Sequence, residues 1–223
     1  MLVKLVSITK PQLVIDKGLT PEELVVYIAR VSNPSNQMNM ESAPKLINYL
    51  IKHKHWSPFE FVDMTVEIVT RRSIAAQILR HKSFSFQEFS QRYSTATEIQ
   101  PIKLRKQGKT NRQSSEEIIE DSNLDSLVKA HVEKGKELYD YLIKEGVSRE
   151  TARDVLPLST ETTMYMKGSL RSWITYLNVR LHKTTQNEHR EIAVAIKDII
   201  VNEFPIISNA LNNFEGFNDE YYM

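Results

Sequence analysis

The chain contains no cysteine. Disulfides, thiolate metal sites and cysteine nucleophiles are therefore excluded together. Glycine is scarce as well, with 6 in 223 residues and none clustered. No Gly-x-Gly-x-x-Gly turn and no Walker loop is present, so a phosphate must be held by side chains rather than by a glycine-rich backbone. Charge of one sign is lacking too: Lys+Arg 29 against Asp+Glu 28 leaves a net charge of +1. That balance argues against bulk nucleic acid as a partner and leaves room for a local basic pocket. No apolar run approaches the roughly 20 residues that span a bilayer. The opening Met1-Leu-Val-Lys-Leu-Val is too short for a signal peptide and has no small-residue cleavage site. A soluble cytoplasmic protein with no membrane partner is the expectation.

What is present is an ordinary apolar fraction, 41%, in a chain long enough for a substantial core. Met1 to Thr9 reads as a strand. Thr20-Pro21-Glu22-Glu23 is a capping box with Pro at the first helical position, opening a helix to about Val31. A second helix starts near Ser42 with Leu46, Ile47, Leu50 and Ile51 inward, and Pro58 stops it. Phe61 to Thr70 places Val62, Met64, Val66 and Ile68 on one strand face. Arg71 to Arg80 turns helical. Glu98 to Asp125 reads as a long polar connection, mobile without a ligand. Helices follow over 125–145, 149–155, 169–182 and 185–203, with a strand over 160–167 and Pro205 as the last stop. There is no internal repeat and no domain boundary. The expectation is α+β: a single domain over residues 1–223, with helices packed around a modest, mainly antiparallel sheet.

The densest chemistry lies in Arg80-His81-Lys82-Ser83-Phe84-Ser85-Phe86-Gln87-Glu88-Phe89-Ser90-Gln91-Arg92-Tyr93-Ser94. Arginine gives bidentate, charge-assisted donors to phosphate, and hydroxyls fill the remaining lone pairs. A lone Arg-His-Lys triplet is ordinarily a solvated turn. Here Phe84, Phe86, Phe89 and Tyr93 are interleaved with the polar residues, which argues for an ordered, half-buried loop. By itself this suits a phosphate ester beside a polar heterocycle, and equally a nucleotide- or RNA-binding module without catalysis. His53, His55 and His81 invite a zinc reading. The i,i+2 spacing turns two of those rings apart and no carboxylate lies at a ligand offset, so no metal is expected.

Arg80-His81-Lys82, seven residues, then Ser90 and Arg92-Tyr93-Ser94 resembles the hallmark of the flavin-dependent thymidylate synthases, which reads Arg-His-Arg, seven residues, Ser. Three further blocks are similar to that family in the same order. They are His55-Trp56-Ser57-Pro58-Phe59-Glu60, then Ala152-Arg153-Asp154-Val155-Leu156-Pro157, then Leu177-Asn178-Val179-Arg180 with Gln186-Asn187-Glu188-His189-Arg190 six residues on. Departures are Lys82 for a second Arg, Phe61 for a His, Thr175 for an Asn, Thr184 for a His, and His189 at an aliphatic position.

The resemblance implies a homotetramer with active sites shared between subunits. It implies reductive methylation of dUMP to dTMP for dTTP biosynthesis, with 5,10-methylenetetrahydrofolate as carbon donor and NADPH reducing FAD. Tetrahydrofolate is then released. The route has no use for the thiolate of the cysteine-dependent enzyme. It further implies that dUMP contacts Gln77, Ile78, Leu79, Arg80, Glu88, Phe89, Ser90, Gln91, Arg92, Arg153 and Arg180. For FAD the implied contacts are His55, Ser57, Arg80, His81, Lys82, Glu88, Ser169, Leu170, Arg171 and Thr175. Arg180 is the implied catalytic group. A different flavin enzyme of nucleotide metabolism is the other reading of these residues.

Overall fold

Alternation builds the sheet. Met64, Val66 and Ile68 alternate with Asp63, Thr65 and Glu67, and the three apolar side chains are fully buried. Strand β2 (Asp63–Arg71) follows directly, since one buried face fixes strand and register. The computed structural model describes residues 1–13, 18–95 and 98–212. Its other strands are β1 (Leu2–Ile8), β3 (Ser85–Glu88), β4 (Arg105–Gln107), β5 (Ser115–Ile118) and β6 (Glu161–Ser169). The helices are α1 (Pro21–Ala29), α2 (Ala43–Lys52), α3 (Arg72–Ile78), α4 (Ser122–Lys144), α5 (Arg149–Ala152), α6 (Leu170–Arg180), α7 (Asn187–Glu203) and α8 (Pro205–Leu211). A small antiparallel sheet in the order β1-β2-β6-β3, with helices packed on it, makes the α+β class that the pattern predicts. No helix of the described residues is long and apolar enough to cross a membrane.

The contacts gather into two compact units of interleaved segments. The first takes residues 1–68, 81–86 and 165–223; the second takes 69–80 and 87–164. The chain passes between them inside β2, after Arg80, inside β3 and inside β6.

In the first unit the capping box at α1 is complete. Thr20 Oγ1 accepts from Glu23 N, and Glu23 Oε2 accepts from Thr20 N at 2.8 Å. Ile47, Leu50 and Ile51 of α2 are buried, while Leu46 is half-buried. That helix ends at Lys52, six residues before Pro58, where the chain turns through Lys54 at φ 58°. Pro205 ends α7 and at once starts α8, a helix that the sequence reading omits. Glu22, 4% exposed on α1, accepts from Ile207 N at 2.7 Å and so caps α8. Burial raises the Glu22 carboxyl above its usual range, against the lowering pull of the Ile207 and Ile206 N–H groups.

In the second unit the polar connection is corrected. Residues 105–118 fold into the β4–β5 hairpin, its strands antiparallel and tied across by Lys106 Nζ to Glu117 at 2.7 Å. Helix α4 begins at Ser122, earlier than the apolar period indicates, because Asp121 caps it through Asn123 N and Leu124 N. It ends before Gly146, whose φ of 85° supplies the left-handed C′ position.

Candidate functional site

In the first unit, helix α6 presents most of the predicted residues. Ser169 caps it, accepting from Ser172 N at 3.3 Å and donating its hydroxyl to Glu60 Oε2 at 2.7 Å. Glu60 Oε1 accepts from Arg171 at 2.9 Å, so one carboxylate holds both residues. Ser172 Oγ donates to Ser83 O at 3.1 Å and fastens the segment that carries His81 and Lys82 to the helix. Phe84 lies against Trp173 with ring centroids 4.6 Å apart. Only glycine allows this, since a Cβ on Gly168 would fall 2.5 Å from the Phe84 ring.

Arg180 closes the helix. Its Nε donates to His81 Nε2 at 2.9 Å, which makes Nε2 the acceptor nitrogen of that ring. The His81 ring meets Tyr176 edge-on at 4.9 Å, and Tyr176 Oη lies 3.1 Å from His189 Nε2. Burial, then the charge of Arg180 and then His81, pulls His189 down to about 3. Burial pushes the Tyr176 phenol far above its usual range, with Arg180 opposing it. Both groups are neutral at physiological pH.

The remaining flavin candidates of this unit are more open. His55 is exposed beside Tyr49 and His53, at centroid distances of 5.7 and 6.1 Å. Ser57 and Lys82 are exposed. Thr175 Oγ1 donates back to Arg171 O at 3.0 Å on its own helix. Leu170 is fully buried, backbone included, and its N–H donates to Val62 O at 2.8 Å, so the fold leaves this predicted flavin contact enclosed.

In the second unit, Gln77, Ile78, Leu79 and Arg80 end α3, and of these only Arg80 is exposed. Glu88 accepts from Thr162 Oγ1 at 2.9 Å and lies 3.6 Å from Arg72. Phe89 is pinned by its N–H to Thr163 O at 2.8 Å. Ser90 Oγ accepts from Arg92 N at 3.3 Å, and Ser90 O accepts from Tyr93 N at 3.1 Å, which makes this a tight turn. Gln91 is 4% exposed, and its Nε2 is buried with no hydrogen-bond partner among the described residues. Buried donors without a partner are rare in folded proteins. Arg92 Nη2 is 3.4 Å from Glu150 Oε2, and Arg153 Nε donates to Glu150 O at 3.2 Å, so one turn of chain gathers both arginines. Tyr93 departs from the expectation of a half-buried ring: it is 87% exposed.

Cofactor and substrate candidates thus separate. All predicted flavin residues but Arg80 and Glu88 lie in the first unit, and all predicted dUMP residues but Arg180 lie in the second. A cavity of about 550 Å³ between residues 98–102 and α4 is lined by Ile99, Ile102, Val128 and Val132 among the charged Glu98, Asp125, Lys129, Glu133 and Lys136, with no arginine, histidine or serine. It contains none of the predicted residues. Among the described residues no three His, Asp or Glu side chains converge as metal ligands. Glu60, Glu150, Tyr176 and the Gly168–Phe84 contact were not selected from sequence. Glu60 was visible, since it closes the His55–Glu60 block.

The family described as thymidylate synthase complementing protein matches residues 13–206. A flavin-dependent thymidylate synthase from Synechocystis is 49% identical over 213 residues, covering 94% of this chain and 98% of that one. A probable flavin-dependent thymidylate synthase from Paramecium bursaria Chlorella virus 1 is 46% identical over 217 residues, 95% and 99% of the two chains. Among solved structures, the UMP/dUMP methylase PolB from Streptomyces cacaoi, bound with 5-Br dUMP, is similar with a TM-score of 0.80 at 26% identity, over 97% and 96% of the chains.

Proposed function

This chain belongs to the thymidylate synthase complementing protein family, the flavin-dependent thymidylate synthases, and we propose the chemistry that its own residues perform there. The reaction is reductive methylation of dUMP to dTMP. The methylene carbon of 5,10-methylenetetrahydrofolate brings two hydrogens and hydride from NADPH supplies the third, while the uracil C5 hydrogen leaves as a proton and the folate nitrogens that release the carbon take up protons. Tetrahydrofolate and NADP are released. Bound FAD carries the hydride between NADPH and the nascent methyl group.

The observation that carries this reading is the Arg180–His81 hydrogen bond in a chain without cysteine. A uracil C5 attacks poorly unless electron density is pushed into the ring, and there is no thiolate to do it. Loss of the N3 proton does it instead, provided the anion is stabilised. With Nε committed to His81, Arg180 has its two Nη groups to offer to N3 and a ring carbonyl. A guanidinium stabilises that anion without surrendering a proton of its own.

The flavin fits the first unit's set in chemistry. Lys82 and Arg171 are exposed cations suited to a diphosphate, Ser57 and Thr175 are hydroxyls, and His55 completes the contacts, with Arg80, His81, Glu88 and Ser169. On the second unit, Arg92 and Arg153 would take the dUMP phosphate with Ser90, and the unpartnered Gln91 amide is a donor for the nucleotide. Glu88, Phe89 and the 77–80 turn complete that set. The proposal includes a homotetramer with shared sites, a folate partner and a cytoplasmic location.

Purified protein should carry FAD, or take it up on titration, and should oxidise NADPH while forming dTMP from dUMP and methylenetetrahydrofolate. UMP is run beside dUMP, with turnover expected for the deoxynucleotide. Protein that neither retains nor binds FAD sinks the reading. Light scattering of the active enzyme checks the tetramer, and an active monomer removes that part alone.

A further inference from the structure

Two groups near Arg180 have no part in the chemistry above: the phenol of Tyr176 and the imidazole of His189. They are 1% and 0% exposed. Tyr176 stands four residues before Arg180 on α6, hence on the same helix face. His189 sits in the first turn of α7. Four side chains form a continuous series of contacts. His189 Nε2 is 3.1 Å from Tyr176 Oη, the Tyr176 ring meets His81 edge-on at 4.9 Å, and His81 Nε2 accepts from Arg180 Nε at 2.9 Å. The His81 and His189 rings are also perpendicular at 6.3 Å.

From this geometry we infer that His189 is a positioning residue for Arg180, acting through Tyr176 and His81. The inference rests on Arg180 being the group that activates the pyrimidine. A fully buried phenol keeps its hydrogen bond or loses stability and order. His189 supplies that bond and so fixes the rotation of the Tyr176 ring. The ring face and edge then set the plane of His81, because an edge-to-face pair is directional. The plane of His81 sets the line of its Nε2 lone pair, and Arg180 Nε–H lies along that line. A guanidinium is flat and rigid, so fixing Nε–H fixes where both Nη groups point. Small errors in such an aim lower turnover without weakening ground-state binding. His189 suits the role because burial beside Arg180 keeps it uncharged; a cation there would push the guanidinium away. The position is also the one where this chain departs from the aliphatic residue of the motif it resembles.

The test uses the FAD-loaded enzyme, with kcat and KM for dUMP measured separately in dTMP formation. His189→Ile keeps the volume and removes the hydrogen bond. It should lower kcat on the order of tenfold while KM for dUMP and FAD absorbance stay unchanged. Tyr176→Phe breaks the same link from the other side and should match it. The double variant should lose no more than the worse single. His189→Gln, whose amide both donates and accepts, should restore most of kcat. Unchanged kcat in His189→Ile and Tyr176→Phe overturns the inference, as do losses that multiply in the double. Equal loss of kcat and FAD binding, with no rescue by Gln, assigns His189 a merely structural role and also overturns it. Arg180→Lys separates the premises. If Arg180→Lys retains full turnover, the reading of Arg180 fails and this inference falls with it. If it loses turnover while His189→Ile does not, the reading stands and only the inference falls.

Discussion

Arg180 of the first unit and Arg92 of the second are held in opposite ways. In the first, Arg180 is anchored through the His81 imidazole, backed by buried rings. In the second, Arg92 is held by Glu150 in an ion pair whose side chains are 63% and 59% exposed. A buried, directional contact fixes an angle; a solvated ion pair fixes a charge and little else. The first suits a group that must be aimed before a substrate arrives. The second suits a group that must let go of one anion to grip another. Aiming and gripping thus fall to different regions of the chain, and each should fail in its own manner.

The sharpest test is Arg180→Ala. It should lower kcat by about 10²–10³, in the range for loss of a preorganised electrostatic contact, with a smaller change in the dissociation constant for dUMP. Steady-state kinetics beside equilibrium titration separate the two. Equal losses would mean that Arg180 only grips, and the contrast would collapse.

Gly168→Ala probes the rigidity of the aimed region without touching a polar group. The added methyl meets the Phe84 ring at 2.5 Å, which should cost about 1–3 kcal/mol. Thermal unfolding measures it, and an unchanged melting temperature would show that Phe84 yields freely. Ser90→Ala tests the gripping region. Ser90 Oγ is engaged by the N–H of Arg92 in its own turn, not by a base, so it is no nucleophile. Removing it should raise KM for dUMP by about tenfold, one charged hydrogen bond, and leave dTMP formation measurable. A trapped Ser90–nucleotide adduct in mass spectrometry would contradict this. Smallest is Glu150→Gln, which frees Arg92 from its exposed partner. Affinity for dUMP should rise by no more than about fivefold, the worth of a surface ion pair. A loss of affinity instead would make Glu150 a support of the phosphate site rather than a competitor.

What the sequence disclosed was whatever is local or periodic. The Thr20–Glu23 box needs four residues, and the alternation of β2 needs seven or eight, so both were readable. The β4–β5 hairpin escaped because Arg105-Lys106-Gln107 and Ser115-Glu116-Glu117-Ile118 carry no apolar alternation; only charge pairing across the strands defines them. Helix α8 escaped because Pro205 was read as an end, although proline also favours a beginning. The motif residues of the site were legible by resemblance. Their fixtures were not, since Glu60 to Ser169 spans 109 residues and His81 to Arg180 spans 99. No spacing rule joins residues so far apart.

The Glu22–Ile207 contact has a consequence in time. Its partners are 185 residues apart. A chain synthesised from its N-terminus makes α1 early, with a carboxylate that will not be enclosed until nearly all the remaining sequence has followed. Until then Glu22 stays hydrated, and water competes for the face that α1 will later bury. The closing helix therefore reports completion: the first unit cannot seal around Glu22 before residue 207 has been added. Any truncation upstream of α8 should leave Glu22 without its Ile207 donor and the face of α1 open to water.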